Sequence, residues 1–191
     1  MLKGVVYEAH FVSLSMLKYL YASSNTKLAF NISHEWLPPF QLRFVNLSSC
    51  KISNGFPQWF RNQTKLVRLS FSATTISGPL PTWLRKLLVI PFINLSHNNL
   101  SGSLTNLPSV EAHNDFEYPV LFLQNNRFNE SIPWLLCKRV DLYYLDLYRN
   151  MLIGKFPYSL KNWQRLRVLS LSSNRLIGVI PSSIGQFPSL T

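Results

Sequence analysis

One spacing constrains this chain more than anything else in it. Leu142 to Pro157 reads Leu-x-x-Leu-x-Leu-x-x-Asn-x-Leu-x-Gly-x-Phe-Pro. Leu145 and Leu147 alternate as a strand with one buried face requires. Asn150 then turns the chain, Leu152 re-enters the core, and Gly154 and Pro157 shape the return path. The same template recurs with its Asn position, here called the rung, filled by Asn25, Cys50, Thr74, Asn98, Asn126, Asn150 and Asn174. The steps are 25, 24, 24, 28, 24 and 24 residues. A single unit this short cannot bury its own apolar edge, so it needs a coil above and a coil below.

Period and skeleton together are those of a leucine-rich repeat. The expected fold is an α/β repeat solenoid: a right-handed superhelix with a parallel sheet on its concave side and 3-10 or irregular structure on the convex side. Residues 1–191 form one array of about seven repeats with partial repeats at both ends. Leu2-Lys-Gly4-Val-Val6 reads as the second half of a coil, and Pro188-Ser-Leu190 opens another. This predicts a piece of a longer array without capping coils, poorly soluble or partly folded in isolation. The first coil is the least regular, with Ala22 for a Leu and Leu28 one position late. Extra residues between the fourth and fifth coils place Glu111, Asp115 and Glu117 in a segment, Ser109 to Pro119, expected as a longer convex loop.

Nineteen Lys and Arg against eight Asp and Glu give a net charge of +11. The cations are scattered along the coils and form no basic block, so a solvated basic surface is the reading and nucleic acid is not an expected partner. Cys50 and Cys137 lie three or more coils apart, at about 4.8 Å per coil, too far to bridge. Six acceptor sequons begin at Asn31, Asn46, Asn62, Asn94, Asn99 and Asn129, which points to the secretory pathway. The most apolar stretch, Leu84 to Leu95, is interrupted by Arg85, Lys86, Pro91 and Asn94, so no membrane span is expected. Glu8 and His10 likewise interrupt any signal-peptide core.

No catalytic pattern emerges. His10, His34, His97 and His113 have no metal-ligand spacing, there is no phosphate loop, and His113-Asn-Asp115 reads as a solvated loop pair. The expectation is a non-enzymatic protein with no metal and no cofactor. Trp59, Trp83 and Trp134 recur once per coil and are expected as convex core packing. The rung asparagines are expected to satisfy buried turn groups, with Cys50 and Thr74 as weaker donors and looser coils there.

Function then falls to the exposed side chains of the concave sheet. The row six before the rung is Tyr19, Phe44, Arg68, Phe92, Val120, Tyr144 and Val168. Four before it stand Tyr21, Asn46, Ser70, Asn94, Phe122, Asp146 and Ser170. Two before it stand Ser23, Ser48, Ser72, Ser96, Gln124, Tyr148 and Ser172. The fifth and sixth coils break the bland pattern, which makes Phe122, Gln124, Tyr144, Asp146, Tyr148 and Arg149 the candidate ligand-binding residues. Exposed aromatics beside Arg are what protein-recognition hot spots are made of, although aromatics also simply fit strands well. Asn46 and Asn94 carry sequons on the same face, so glycans there would cover the second to fourth coils and leave the fifth to seventh free.

Leu176-Ile-Gly178-Val-Ile180-Pro181 is the hallmark of the plant-specific class of leucine-rich repeat. Glu8-Ala-His-Phe11, Trp36-Leu-Pro-Pro-Phe-Gln-Leu42, Ser49-Cys50 and Phe56-Pro-Gln-Trp59 closely resemble the ectodomains of plant leucine-rich-repeat receptor-like proteins. The resemblance covers essentially the whole chain. It implies a cell-surface immune or developmental receptor on the extracellular side of the plasma membrane. Such a receptor binds an extracellular peptide or protein, signals through a co-receptor kinase, and reaches the membrane only through segments not in this chain. Two other readings stay open: a secreted inhibitor of cell-wall-degrading enzymes built from the same repeats, and a truncated gene product without its own function.

Overall fold

The computed structural model describes residues 1–53, 55–87, 90–108, 118–158 and 162–182. The acidic segment 109–117, with His113, and the expected repeat opening at 188–190 lie outside these residues.

Seven three-residue strands pair in parallel, in chain order, into one sheet: Tyr19–Tyr21, Phe44–Asn46, Arg68–Ser70, Phe92–Asn94, Val120–Phe122, Tyr144–Asp146 and Val168–Ser170. The register aligns their middle residues Leu20, Val45, Leu69, Ile93, Leu121, Leu145 and Leu169 across the sheet. Alternation turns these inward, and the apolar residue two further on (Leu47, Phe71, Leu95, Leu123, Leu147) closes the same core. This is the leucine-rich-repeat solenoid expected from the spacing.

The rungs carry the turns. Asn126 Nδ2 donates to the Leu123 carbonyl of its own coil and to Leu95 O one coil back, and its Oδ1 accepts from Leu100 N. Asn150 repeats this with Leu147, Leu123 and Phe128 N, and Asn174 with Leu171, Leu147 and Leu152 N. The residue just before each rung is left-handed: Ser24, Ser49, Ala73, His97, Asn125, Arg149 and Ser173 have φ between 55° and 64°. That conformation costs an L residue roughly 1–2 kcal/mol. Here it aims a backbone N–H at the neighbouring coil, as His97 N does at Gln124 O and Asn125 N at Tyr148 O.

Beyond the turn a second parallel sheet runs in two pieces. Lys3–Val6, Lys27–Phe30 and Lys51–Ile52 form one, and Ser77–Pro79, Asn99–Gly102 and Arg127–Phe128 the other. The break between Ile52 and Ser77 falls where Cys50 and Thr74 replace Asn, and there Thr75, a β-branched residue, has φ 68°. A second interruption follows Phe128, where the Asn150 rung is intact, so a missing amide is not the sole cause of such breaks.

The return path is made of single turns: 3-10 at Glu8–His10, Gln58–Phe60 and Leu84–Lys86, and α at Trp134–Cys137. Among the described residues no helix is long and apolar enough to cross a membrane. Phe60, Leu84 and Leu136 occupy equivalent buried places on these turns. The tryptophan series corrects one expectation. Trp59 is 2% exposed, but Trp134 is 59% exposed, with Lys138 Nζ 4.4 Å from its ring centroid. Trp134 stands sixteen residues before its rung and Trp59 fifteen, and one residue of helical turn is enough to rotate it outward.

Eleven before the rung, where Leu87 and Trp163 are buried, stand two polar residues that the template did not flag. Gln63 accepts from Leu42 N at 2.6 Å and donates to Phe40 O. Arg139 is 1% exposed, pairs with Asp141 through Nε and Nη2 at 2.8 and 2.9 Å, and donates to Pro108 O. Each ties the convex turn of the preceding coil.

Candidate ligand-binding face

Outward-facing rows of the seven-stranded sheet meet solvent, although less evenly than strict alternation suggests. Ser70 and Ser96 are buried. Their hydroxyls pair with neighbours, Ser70 Oγ with Ser48 Oγ at 2.8 Å and Ser96 Oγ with Ser72 Oγ at 2.9 Å. Small side chains between larger ones sink into the sheet and satisfy each other there. Those pairs run only through the first four coils, because Gln124 and Tyr148 replace Ser in the next two.

Beside the serines and beyond them runs an aromatic stripe. Phe122 and Tyr144 have ring centroids 4.9 Å apart, and Phe92 lies 5.8 Å from Phe122 on the other side. Arg68 extends the stripe, its guanidinium carbon 4.2 Å from the Phe92 ring centroid. Arg68, Phe92, Phe122 and Tyr144 therefore form one continuous surface across four coils. Reading rows separately missed the first two as partners of the candidate site. Phe122 stands two positions further along its strand than Phe92 and Tyr144, and ring size lets it span the diagonal to both.

The candidate residues occupy this stripe and its border. Phe122, Gln124, Tyr144 and Asp146 are half-buried, whereas Tyr148 and Arg149 are exposed. Asp146 is the direct cross-strand partner of Phe122, and its Oδ1 accepts from Tyr148 N at 2.9 Å. Burial first, and the adjacent Asp146 carboxylate second, hold the Tyr144 phenol above its ordinary pKa, so it stays a neutral hydrogen-bonding group. Gln124 Oε1 is buried with no hydrogen-bond partner. Arg149 is set apart from the rest by its left-handed turn conformation.

The six sequon asparagines fall on two surfaces. Asn46 and Asn94 are half-buried on the seven-stranded sheet, each accepting the N–H two residues on, from Ser48 and Ser96. Ser70 lies between them in register. Asn31, Asn62, Asn99 and Asn129 are exposed away from that sheet. Cys50 and Cys137 are both buried and are not joined by a disulfide, and burial raises the Cys50 thiol pKa against a smaller lowering by the Asn25 backbone, leaving an S–H that reaches Ala22 O.

Geometry of this kind, a regular parallel sheet that displays side chains from successive coils, defines a leucine-rich-repeat solenoid. A family model described as Leucine Rich Repeat matches residues 41–63, 141–163 and 165–187. "Receptor-like protein EIX2" of Solanum lycopersicum is 32% identical over 180 residues, which cover 94% of this chain and 15% of that protein. The plant peptide hormone receptor RGFR1 in complex with RGF2 superposes with a TM-score of 0.74 at 25% identity, over 85% of this chain and 26% of that one. The Arabidopsis receptor kinase HAESA, in complex with the peptide hormone IDA and the co-receptor SERK1, gives 0.61 at 25% identity over 100% of this chain and 39% of its own. The chain carries leucine-rich repeats, and the relatives it resembles are plant receptor-like proteins. It spans 15% of the length of the EIX2 protein.

Proposed function

We propose that this chain is a stretch of the extracellular, non-enzymatic recognition face of a plant cell-surface receptor-like protein. Its ligand is a peptide or protein, and it acts in defence or developmental signalling through a co-receptor kinase. The observation that carries this reading is the contiguous, solvent-facing aromatic stripe around Phe122 and Tyr144, bordered by Asp146 and Tyr148. No fold requirement calls for rings there, because Ser and Val fill the same rows in other coils. Similarity to receptors crystallised with peptide hormones agrees with a peptide occupant.

Glycans narrow the contact zone. Asn46 and Asn94 lie two strands apart, about 10 Å by strand spacing, and chains on both would cover the second to fourth coils. Contact then centres on Phe122, Tyr144, Asp146, Tyr148 and Arg149. Glycopeptide mapping of protein secreted from plant cells should find Asn46 and Asn94 modified. Peptides selected on the glycosylated chain from a random display library should lose about 2 kcal/mol or more of binding on alanine substitution at Phe122 or Tyr144. Selected peptides indifferent to all five substitutions would end the proposal.

A further inference from the structure

Asp146 performs a structural task that does not need its charge. Its Oδ1 accepts the N–H of Tyr148, two residues on. At the same place in their coils Asn46 and Asn94 accept from Ser48 and Ser96 in the same way, at 3.1 Å each. A neutral amide therefore serves the fold equally well. Asp146 is nevertheless the sole acidic residue on the seven strands. No cation neutralises it, since Arg139 with Asp141 is the ion pair found among the described residues.

Its surroundings are suited to a cation. Phe122 lies directly across the strand pair, and Tyr144 precedes Asp146 by two residues on the same face. Tyr148 follows by two, and the small Ser170 lies directly across the next strand pair from Asp146. Aromatic faces around a carboxylate attract a desolvated ammonium or guanidinium by quadrupole and charge together. The chain as a whole carries +11, and its other charges are screened beyond roughly 8 Å. Net field therefore does not draw free cations to this spot, so a cation arrives there because a ligand shape delivers it.

We propose that Asp146, walled by Phe122, Tyr144 and Tyr148, is the subsite for an arginine or lysine side chain of the peptide ligand. This rests on the recognition face proposed above and adds the chemistry of one ligand residue. The test titrates Ac-Gly-Arg-Gly-NH2 and its citrulline counterpart, equal in shape but uncharged, into the full chain and into Asp146→Asn. The replacement keeps the Tyr148 hydrogen bond, as Asn46 and Asn94 do, so folding is preserved and circular dichroism should be unchanged. A charge-assisted contact is worth roughly 1.5–3 kcal/mol, so the arginine peptide should bind the native chain ten- to a hundred-fold better than it binds Asp146→Asn. The citrulline peptide should not distinguish the two. Equal binding of the arginine peptide to both proteins, its failure to bind the native chain, or tighter binding of free spermidine would each overturn the assignment. If display-selected peptides depend on Phe122 and Tyr144 but not on Asp146, this subsite falls while the recognition face stands. If they depend on none of Phe122, Tyr144, Asp146, Tyr148 and Arg149, both fall.

Discussion

From Asn98 onward every rung is an asparagine whose Nδ2 reaches its own coil and the coil before it. Asn98 donates to Leu95 O and Phe71 O, and the pattern continues through Asn174. The first three coils are joined differently. Cys50 offers one S–H to Ala22 O one coil back, and the Thr74 hydroxyl donates to Phe71 O in its own coil, with Asn98 Oδ1 3.3 Å away. What those coils have in place of the amide spine is an aromatic layer on the convex side. Phe11, Trp36, Phe40 and Trp59 contact one another with centroids near 6 Å, and Trp59 lies 3.8 Å from Phe60, which reaches Phe71 at 5.2 Å. In later coils the equivalent layer is mostly aliphatic, with Leu104, Leu107, Ile132 and Leu136 buried. Stacking one coil on the next needs inter-coil free energy, and either a polar spine or a large apolar contact can supply it.

This contrast predicts where each half breaks. Phe60→Ala should be the most damaging single change in the first half, destabilising by about 3–5 kcal/mol, because it empties a fully buried place between two aromatic neighbours. Chemical denaturation midpoints, measured on the full chain, give the number. Loss below 1 kcal/mol would mean that the aromatic layer does not join these coils.

Rung substitutions separate the halves directly. Asn150→Ala should cost about 1–3 kcal/mol, since the Phe128 N–H and two carbonyls lose a buried partner. Cys50→Ala should cost about 1 kcal/mol, the value of one buried methyl-sized group, because a thiol is a weak donor. Equal losses at both sites would erase the distinction between spine and aromatic layer.

The reverse change should mend the weak place. Thr74→Asn supplies the missing amide and should stabilise by roughly 0.5–1.5 kcal/mol, the net worth of a hydrogen bond. Hydrogen exchange should slow at Ile52 and Ile76 if the second sheet tightens across the gap. No change in protection there would show that the break has another origin.

Smallest of all is Ala73→Gly. Ala73 is held at φ 55°, so glycine removes a left-handed penalty of roughly 1–2 kcal/mol. Against that stands about 0.5–1 kcal/mol of added chain entropy in the unfolded state. A gain of up to about 1 kcal/mol in thermal or denaturant melts is expected, and a net loss would show that Ala73 Cβ makes contacts worth keeping.

Much of the candidate site was legible as rows. The three outward rows follow from period two and the rung spacing, and Phe122, Asp146 and Tyr148 stood out because they interrupt rows of Ser and Asn, with Tyr144 beside them between Val120 and Val168. Joining Arg68 and Phe92 to them was not legible, since that contact depends on ring size and on a diagonal between strands. Nor was the place of Trp134, where one residue of drift against the rung turned an expected core ring into solvent.

By itself the sequence determined the solenoid, the parallel register and the inward place of the rungs. These properties are periodic, and a repeat copied every 24 or so residues writes them again in every coil. Tertiary structure alone decided the features that occur once. It set Gln63 and Arg139 at core positions where each clips a neighbouring turn, and sank Ser70 and Ser96 into the sheet as hydroxyl pairs. It also left Asp146 without a cation among the described residues. Each of these depends on which side chain of the next coil lies opposite, and a one-dimensional pattern holds no record of that until the coils are stacked.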